Sequence, residues 1–491
     1  MLPGLLTALW CMAAPDQPSG RVDAGLRIAP MPAGERSSDR YRVTVDGRPA
    51  PVYVARVAPR DEERRWKAMD DKANSALYYE EAAFTTFDMA RPVRVVVTCT
   101  EAIRSAKLLP ASAGIRPLIR GRTLAFRLDR PRPITVEVNG EWVRSLHILA
   151  SPPERNPPRP DDPNVIYYGP GIHEVRRVVV HDGQTVYIAP GAVVRAVIGP
   201  DEPYQISDYS GLKTYPPTFE LRGSKVTFRG RGILDGSGLT THARNLLYCT
   251  GRNVEIEGVI LRDSPTWNLP IRQSDHVRVR NLKIIGYRAN SDGIDICNSR
   301  DVTVEDCFLR TLDDLIVVKT DAGQGKAARI AARRCVLWNE VAHALSVGAE
   351  LREDVDDVLF EDCDVIHDKG REWTLRVYHC DAARITNVRW INIRIEETRR
   401  LISLWINKAV WTRDEARGHI SDIEFRDITA AGQPATIELL GYDAEHRVER
   451  VVLRGVRVNG RDIARADVQT NKFVDRVTVQ PDTGSVPPTA P

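Results

Sequence analysis

What the chain lacks narrows it first. Past its first few residues it has no apolar run long enough to form a membrane-spanning helix. It has no excess of either charge: 69 Lys and Arg against 66 Asp and Glu leave a formal net charge of +3, with the signs interspersed. That excludes the basic stripe by which a protein grips nucleic acid. None of its 8 cysteines forms a C-x-x-C pair, so the spacing of a zinc site is missing. Cys307, Cys335 and Cys363 instead stand 28 residues apart. That regularity reads as a ladder of small buried side chains in a repeating structure rather than as disulfides.

The ends of the chain carry their own signals. Leu2 to Ala14 is apolar but too short to span a bilayer, and it precedes the polar run Asp16-Gln17-Pro18-Ser19-Gly20. Residues 1–20 therefore read as a signal peptide, with a secreted or periplasmic destination. Residues 481–491, rich in Pro, Thr, Ser and Gly, read as a disordered tail. A length of 491 residues exceeds what one ordinary core supports, unless the core grows along one axis as in a repeat protein.

Residues 21–150 read as an all-β, sandwich-type domain. Tyr41-Arg42-Val43-Thr44-Val45 alternates into an Asp46-Gly47 turn, and Val93, Val95, Val97 and Cys99 alternate in the same way. Ile134, Val136 and Val138 run into an Asn139-Gly140 hairpin turn before Trp142. No catalytic constellation is visible there. Residues 151–164 are proline-rich and read as an extended linker.

From 165 to 480 one pattern recurs: apolar-x-apolar-x-x-apolar-x-apolar. It runs through Val254, Ile256, Val259, Leu261, then Val277, Val279, Leu282, Ile284, then Val302, Val304, Cys307, Leu309, and onward to Val451, Leu453, Val456, Val458. Weaker copies are Val226, Phe228, Arg231 (a mismatch), Ile233, and before it Val186, Ile188, Gly191, Val193. Repetition near this period means a solenoid. Apolar pairs at spacing two, with no helical stretch between them, predict a right-handed parallel β-helix, the two-residue gap being the corner between strands.

Neighbouring coils of such a helix lie about 4.8 Å apart, so residues at one phase form a row. Trp267, Asp292, Asp313, Asp314, His343 and Arg376 all fall just past the second strand of their coil. Crowded carboxylates split their pKa values, giving an acid and a base at one pH, which is what glycosidic cleavage needs. A spread over two coils is expected to leave the ~6.5–9.5 Å gap of an inverting mechanism. Asp295 reads as a turn residue accepting backbone donors. Lys319 is placed either to contact substrate or to neutralise the aspartates, and Trp405 and Tyr442 are weaker subsite candidates.

Several motifs occur in order, about one per coil. They are Gly230-Arg231-Gly232-Ile233-Leu234-Asp235-Gly236-Ser237-Gly238, Asp263-Ser264-Pro265-Thr266-Trp267, Asn290-Ser291-Asp292-Gly293-Ile294-Asp295, Asp313-Asp314 and His343-Ala344-Leu345-Ser346-Val347-Gly348. Together they resemble the polygalacturonase family of glycoside hydrolases, which are inverting β-helix enzymes. The resemblance implies Asp313 as general acid, Asp292 and Asp314 as holders of the water, His343 as support for the acid's protonation, and Asn290 as an orienting group. It implies a polysaccharide substrate and no cofactor or metal. Two departures stand out. Ala342-His343-Ala344 replaces the family's Gly-His-Gly, and Arg376-Val377-Tyr378 replaces its Arg-x-Lys, so the usual lysine partner of a galacturonate carboxylate is a tyrosine. A sandwich before the β-helix also resembles the dextranase and isopullulanase family, which implies a neutral glucan as substrate instead. Two further functions fit a solenoid with this acidic row: a polysaccharide lyase with calcium on the aspartates, and a non-catalytic glycan-binding protein. Exo action would need a loop closing the groove, and the inserts at 199–218 and 396–420 are the candidates.

Overall fold

The computed structural model describes residues 25–433 and 435–481. The expected signal peptide and nearly all of the expected tail lie outside these residues.

The repeat folds as a parallel β-helix with three walls, two of twelve strands and one of eleven, and the right-handed sense is the one such crossovers take. The first wall stacks the leading apolar residue of each repeat in register: Val254, Val277, Val302, Ile330, Val358, Val388, Ile423, Val451 and Val477. The earliest copy is corrected. Val186 pairs with Phe228 rather than Val226, while Val193 still pairs with Ile233. Two more residues therefore occupy that coil's corner, and a shift of two keeps every side chain on its face. The third wall, which includes Leu269–Arg272, Ile294–Cys297, Ile316–Thr320, Leu345–Leu351 and Leu375–His379, lies outside the recurring pattern.

The corners explain the polar residues between apolar pairs. Asn281, Asp306, Arg334, Asp362, Asn392 and Asp427 all take left-handed backbone conformations, which Asn and Asp tolerate best. Where Arg stands there, a carboxylate from the neighbouring coil holds it: Arg334 donates to Asp306 at 2.8 Å. Within the coils, Phe360, Trp390 and Phe425 stack with centroids 5.4 and 4.6 Å apart, worth about 0.5–1.5 kcal/mol per pair beyond area burial. The cysteine ladder is there too. Cys307, Cys335 and Cys363 are buried and unbonded to one another, and each thiol donates to the carbonyl two residues back, at 3.2, 3.4 and 3.3 Å.

The N-terminal sheets, of six and five strands, enclose a core that includes Val43, Val95, Val97, Leu124, Val136 and Ile148. A second apolar cluster joins this sandwich to the β-helix: Tyr53, Phe84, Val143 and Leu149 pack on Ile233, Ile260, Phe308, Val336 and Trp338. The second wall is thus buried on both faces. The Arg231 mismatch follows from this. Its side chain leaves the solenoid core and donates to Asp88 and to the Pro152 carbonyl, both at 2.9 Å.

The sandwich portion is not purely β. A helix, α1, spans Glu62–Asp70. Asp61 caps it by accepting from the Arg64 amide at 2.9 Å, and Lys67 pairs with Glu63 one turn back at 2.8 Å. Its buried Ala68 packs in a cluster with Tyr287, Leu312 and Val341, and Glu62 anchors Arg399 at 2.7 Å.

Candidate active site

The acidic residues project where the second wall turns into the third. Asp292 precedes Ile294–Cys297, and Asp313 and Asp314 lie between Phe308–Thr311 and Ile316–Thr320. They share one corner on adjacent coils, so they stack at coil spacing. One oxygen from each of the three lies within 4.8 Å of the others. The expected wider gap is therefore not found.

Lys319 organises the cluster. Its ammonium donates to Asp292 Oδ2 at 3.0 Å, lies 3.0 Å from Asp295 Oδ1 and reaches Asp314 Oδ2 at 3.9 Å. It also sits 4.2 Å from the centre of the Trp267 ring. With its ammonium set among three carboxylates, Lys319 has the geometry of a counter-ion, the second of its two readings from sequence, while it also lines the cavity described below. A fixed ammonium in this position also disfavours a metal ion on the same three aspartates. Asp295 is buried beneath the site beside Lys319.

The environments drive the carboxyls apart. Burial and the Asp314 charge push Asp313 up to about 7. Burial works the same way on Asp314, but the His343 ring and Lys319 outweigh it and hold Asp314 below the usual carboxylate range. Burial and the Asp313 charge push Asp292 well up against the pull of Lys319, and burial carries Asp295 to about 6. One lysine cannot keep four buried carboxyls ionised.

His343 touches Asp314, not Asp313. Its Nδ1 lies 2.6 Å from Asp314 Oδ1, and its backbone amide donates to the same oxygen at 3.2 Å. Nε2 receives Arg376 Nη1 at 3.1 Å. Arginine only donates, so the ring proton sits on Nδ1 and points at Asp314. Arg376 in turn pairs with Glu372 at 2.7 Å and lies 3.9 Å above the Tyr378 ring. Tyr378 meets Trp405 edge-on at 5.1 Å. Asn290 donates to Asp313 Oδ2 and to the Tyr209 hydroxyl, both at 3.5 Å, and its Oδ1 meets His242 Nε2 at 3.0 Å. Tyr442 lies against His446 and the solenoid core, away from this cluster.

Trp267, Asn290, Asp292, Asp313, Asp314, Lys319, His343 and Tyr378 line a cavity of about 920 Å³, with Arg376 and Trp405 behind its wall. Both inserts reach it. Tyr209 of the first and Trp411 of the second meet with ring centres 5.5 Å apart, over the groove beside Asn290. The sandwich contributes the wall formed by Met69, Asp70 and Lys72 at the end of α1, tied down by Asp70 to Arg371 at 3.0 Å. Sequence reasoning missed Tyr209, His242, Trp411 and Lys72. They come from segments outside the repeat, and only folding brings them to the corner.

A right-handed parallel β-helix with an aspartate on one coil, an Asp-Asp pair on the next and a histidine on the one after defines a class of carbohydrate-acting solenoids. Residues 233–475 match the model of Glycosyl hydrolases family 28. An exopolygalacturonase of Arabidopsis thaliana is 26% identical over 220 residues, covering 41% of this chain and 49% of that protein. Curated relatives are thus matched over about half their length or less. Among solved structures, an exopolygalacturonase of Thermotoga maritima superposes with a TM-score of 0.53 at 17% identity, covering 65% of this chain and 84% of the other. Dex49A from Penicillium minioluteum superposes with a TM-score of 0.59 at 12% identity, covering 92% and 96%, so that likeness of fold spans nearly the whole chain. The β-helix is thus polygalacturonase-like over residues 233–475, the part that matches glycosyl hydrolase family 28.

Proposed function

We propose that this protein hydrolyses O-glycosidic bonds of a pectic polysaccharide, with inversion at the anomeric carbon. The observation that carries the reading is the meeting of Asp292, Asp313 and Asp314 within 4.8 Å, with Lys319 and His343 both on Asp314. Asp313 holds a proton and gives it to the glycosidic oxygen as the bond to the anomeric carbon breaks. A water held by Asp292 and Asp314 attacks that carbon from the other side and passes its one proton to the Asp314 carboxylate, which the site keeps ionised. Asp292 and Asp313 are both pushed up; the donated proton is assigned to Asp313 on geometry, because Asp292 Oδ2 already accepts from the Lys319 ammonium at 3.0 Å.

Carboxyls ~5–5.5 Å apart usually mark retention and ~6.5–9.5 Å inversion, and the spacing here is short. Inversion is preferred because Asp292, the carboxylate that would otherwise attack, is 2% exposed with one oxygen held by Lys319. Its Oδ1 has no protein partner and is free to hold the attacking water. The Tyr209–Trp411 contact over the groove supports attack at a chain end.

Tyr378, stacked on Arg376 and Trp405, offers an aromatic face where the family offers a lysine. That supports a neutral sugar on this side of the scissile bond, so that plain polygalacturonate is not the best substrate. A neutral glucan is the second reading, favoured by the fold likeness that includes the sandwich. Product release from polygalacturonate, rhamnogalacturonan, dextran and pullulan, wild type beside Asp313→Asn, separates the readings. New reducing ends without ultraviolet absorbance from unsaturated uronates, lost in the variant, are expected. Absorbance gain means a lyase. Binding unaccompanied by cleavage on every polymer means a glycan-binding solenoid.

A further inference from the structure

The groove has two chemically different ends. On the His343 side stands the Tyr378 ring, backed by Trp405 and by Arg376, whose charge is matched by Glu372 at 2.7 Å. On the other side of the aspartates stands Lys72, carried in by the segment after α1. Most other cations along the groove are spoken for: Arg272 and Arg352 pair with Asp321, Arg371 with Asp70, and Lys319 with the aspartates, while Arg413 is turned onto the Val410 and Thr412 carbonyls. Among the described residues Lys72 makes no ion pair. Its ammonium rests 3.3 Å from the centre of the Tyr209 ring. That ring touches Trp411, and its hydroxyl accepts from Asn290, which also donates to Asp313. A cation lodged on an aromatic face, half-buried and without a counter-ion, is poised to take an anion.

We propose that Lys72 recognises the carboxylate of an acidic sugar bound beneath Tyr209 and Trp411, on the side of the aspartates opposite Tyr378. The proposal rests on the glycosidase reading and deepens it. The substrate carries a uronic acid at this position and a neutral sugar across the scissile bond. The cationic partner that position 378 lacks is supplied from the sandwich, at a different subsite. The ammonium exchanges its contact with the ring for a charge-assisted hydrogen bond, and the ring remains as a platform for the sugar.

The test is binding, independent of turnover. Full-length Asp313→Asn protein is titrated calorimetrically with trigalacturonate and with its methyl ester. The acid is expected to bind at least about tenfold more tightly than the ester. Adding Lys72→Met should remove that preference by weakening acid binding about tenfold or more while leaving ester binding alone, and Lys72→Arg should restore most of it. In the active enzyme, Lys72→Met should raise KM for an acidic substrate and leave kcat within about twofold. Equal loss for acid and ester, equal binding of the two by the parent, or binding of neither overturns the proposal. Failure of the glycosidase reading would appear separately, as wild-type protein that releases no new reducing ends from any polymer or releases unsaturated uronates instead.

Discussion

Replacing Lys319 by Met tests the electrostatic account most directly. The ammonium lies 3.0 Å from Asp292 and Asp295 and 3.9 Å from Asp314, with its side chain 9% exposed. Removing one partner from a buried charge network costs about 3–5 kcal/mol, because the remaining charge is stranded. Here the stranded groups can escape by binding protons, so the cost must depend on pH. Without Lys319 the folded-state pKa values of Asp292, Asp295 and Asp314 rise further above, or rise to exceed, those of the unfolded chain. A carboxyl raised on folding weakens the fold as pH climbs from its unfolded value through its folded one. The full loss is therefore expected at pH 7.5 and most of it should vanish near pH 4.5. Urea unfolding followed by tryptophan fluorescence at the two pH values measures it as a shift in midpoint at constant slope. An equal shift at both would refute the reasoning, and no shift with a raised KM would restore Lys319 to substrate contact.

Three further outcomes follow from the same geometry. The kcat/KM profile should be bell-shaped, failing above about 7 as Asp313 loses its proton and failing below the ordinary aspartate range as Asp314 gains one; a flat profile between pH 3 and 9 would contradict the acid–base assignment. The first-formed product should carry the anomeric configuration opposite to the substrate bond when followed by proton NMR, and retention would make Asp292 a nucleophile instead. Wild type should release small products from the first time point with little fall in viscosity, and Tyr209→Ala with Trp411→Ala should shift it toward internal cleavage; a mixed oligomer ladder from wild type would remove the chain-end reading.

The repeat made most of the fold legible. Period-two apolar pairs separated by a two-residue corner are a strong signal because every coil repeats them, and from Val254 onward the register they imply is the one found. The third wall escaped because it follows the acidic corner, where loop lengths differ from coil to coil and blur the period. The aspartates and His343 were legible as a row, since phase along the coil maps onto position along the axis. Their pairing was not. Whether His343 leans on Asp313 or Asp314 depends on side-chain direction, and the choice of Asp314 comes from Arg376 fixing the ring from behind. Helix α1 was overlooked although Asp61, Glu62, Glu63 and Lys67 carry its capping and dipole signals. Its sequence is polar on nearly every side, so it lacks the apolar stripe that usually announces a helix.

That helix changes what the sandwich is for. Taken alone, the N-terminal sheets hold no catalytic constellation, and the proline-rich stretch after them suggests a separate unit. The contacts argue otherwise. Ala68 of α1 packs with Leu312, the residue before Asp313, and with Val341, two before His343. The Ala76 carbonyl accepts from Tyr287 at 2.8 Å and Ser75 meets Thr241 at 2.8 Å. The loop that carries Lys72 is therefore pinned at the coils that carry the aspartates. Apolar residues at a solenoid corner are costly when left to water, and those flanking the acidic pair here are covered by the sandwich. The same docking that covers the corner brings an ammonium to one end of the groove. On the proposed reading, catalytic geometry comes from the repeat, while the chemistry of one subsite is imported by the domain packed against it.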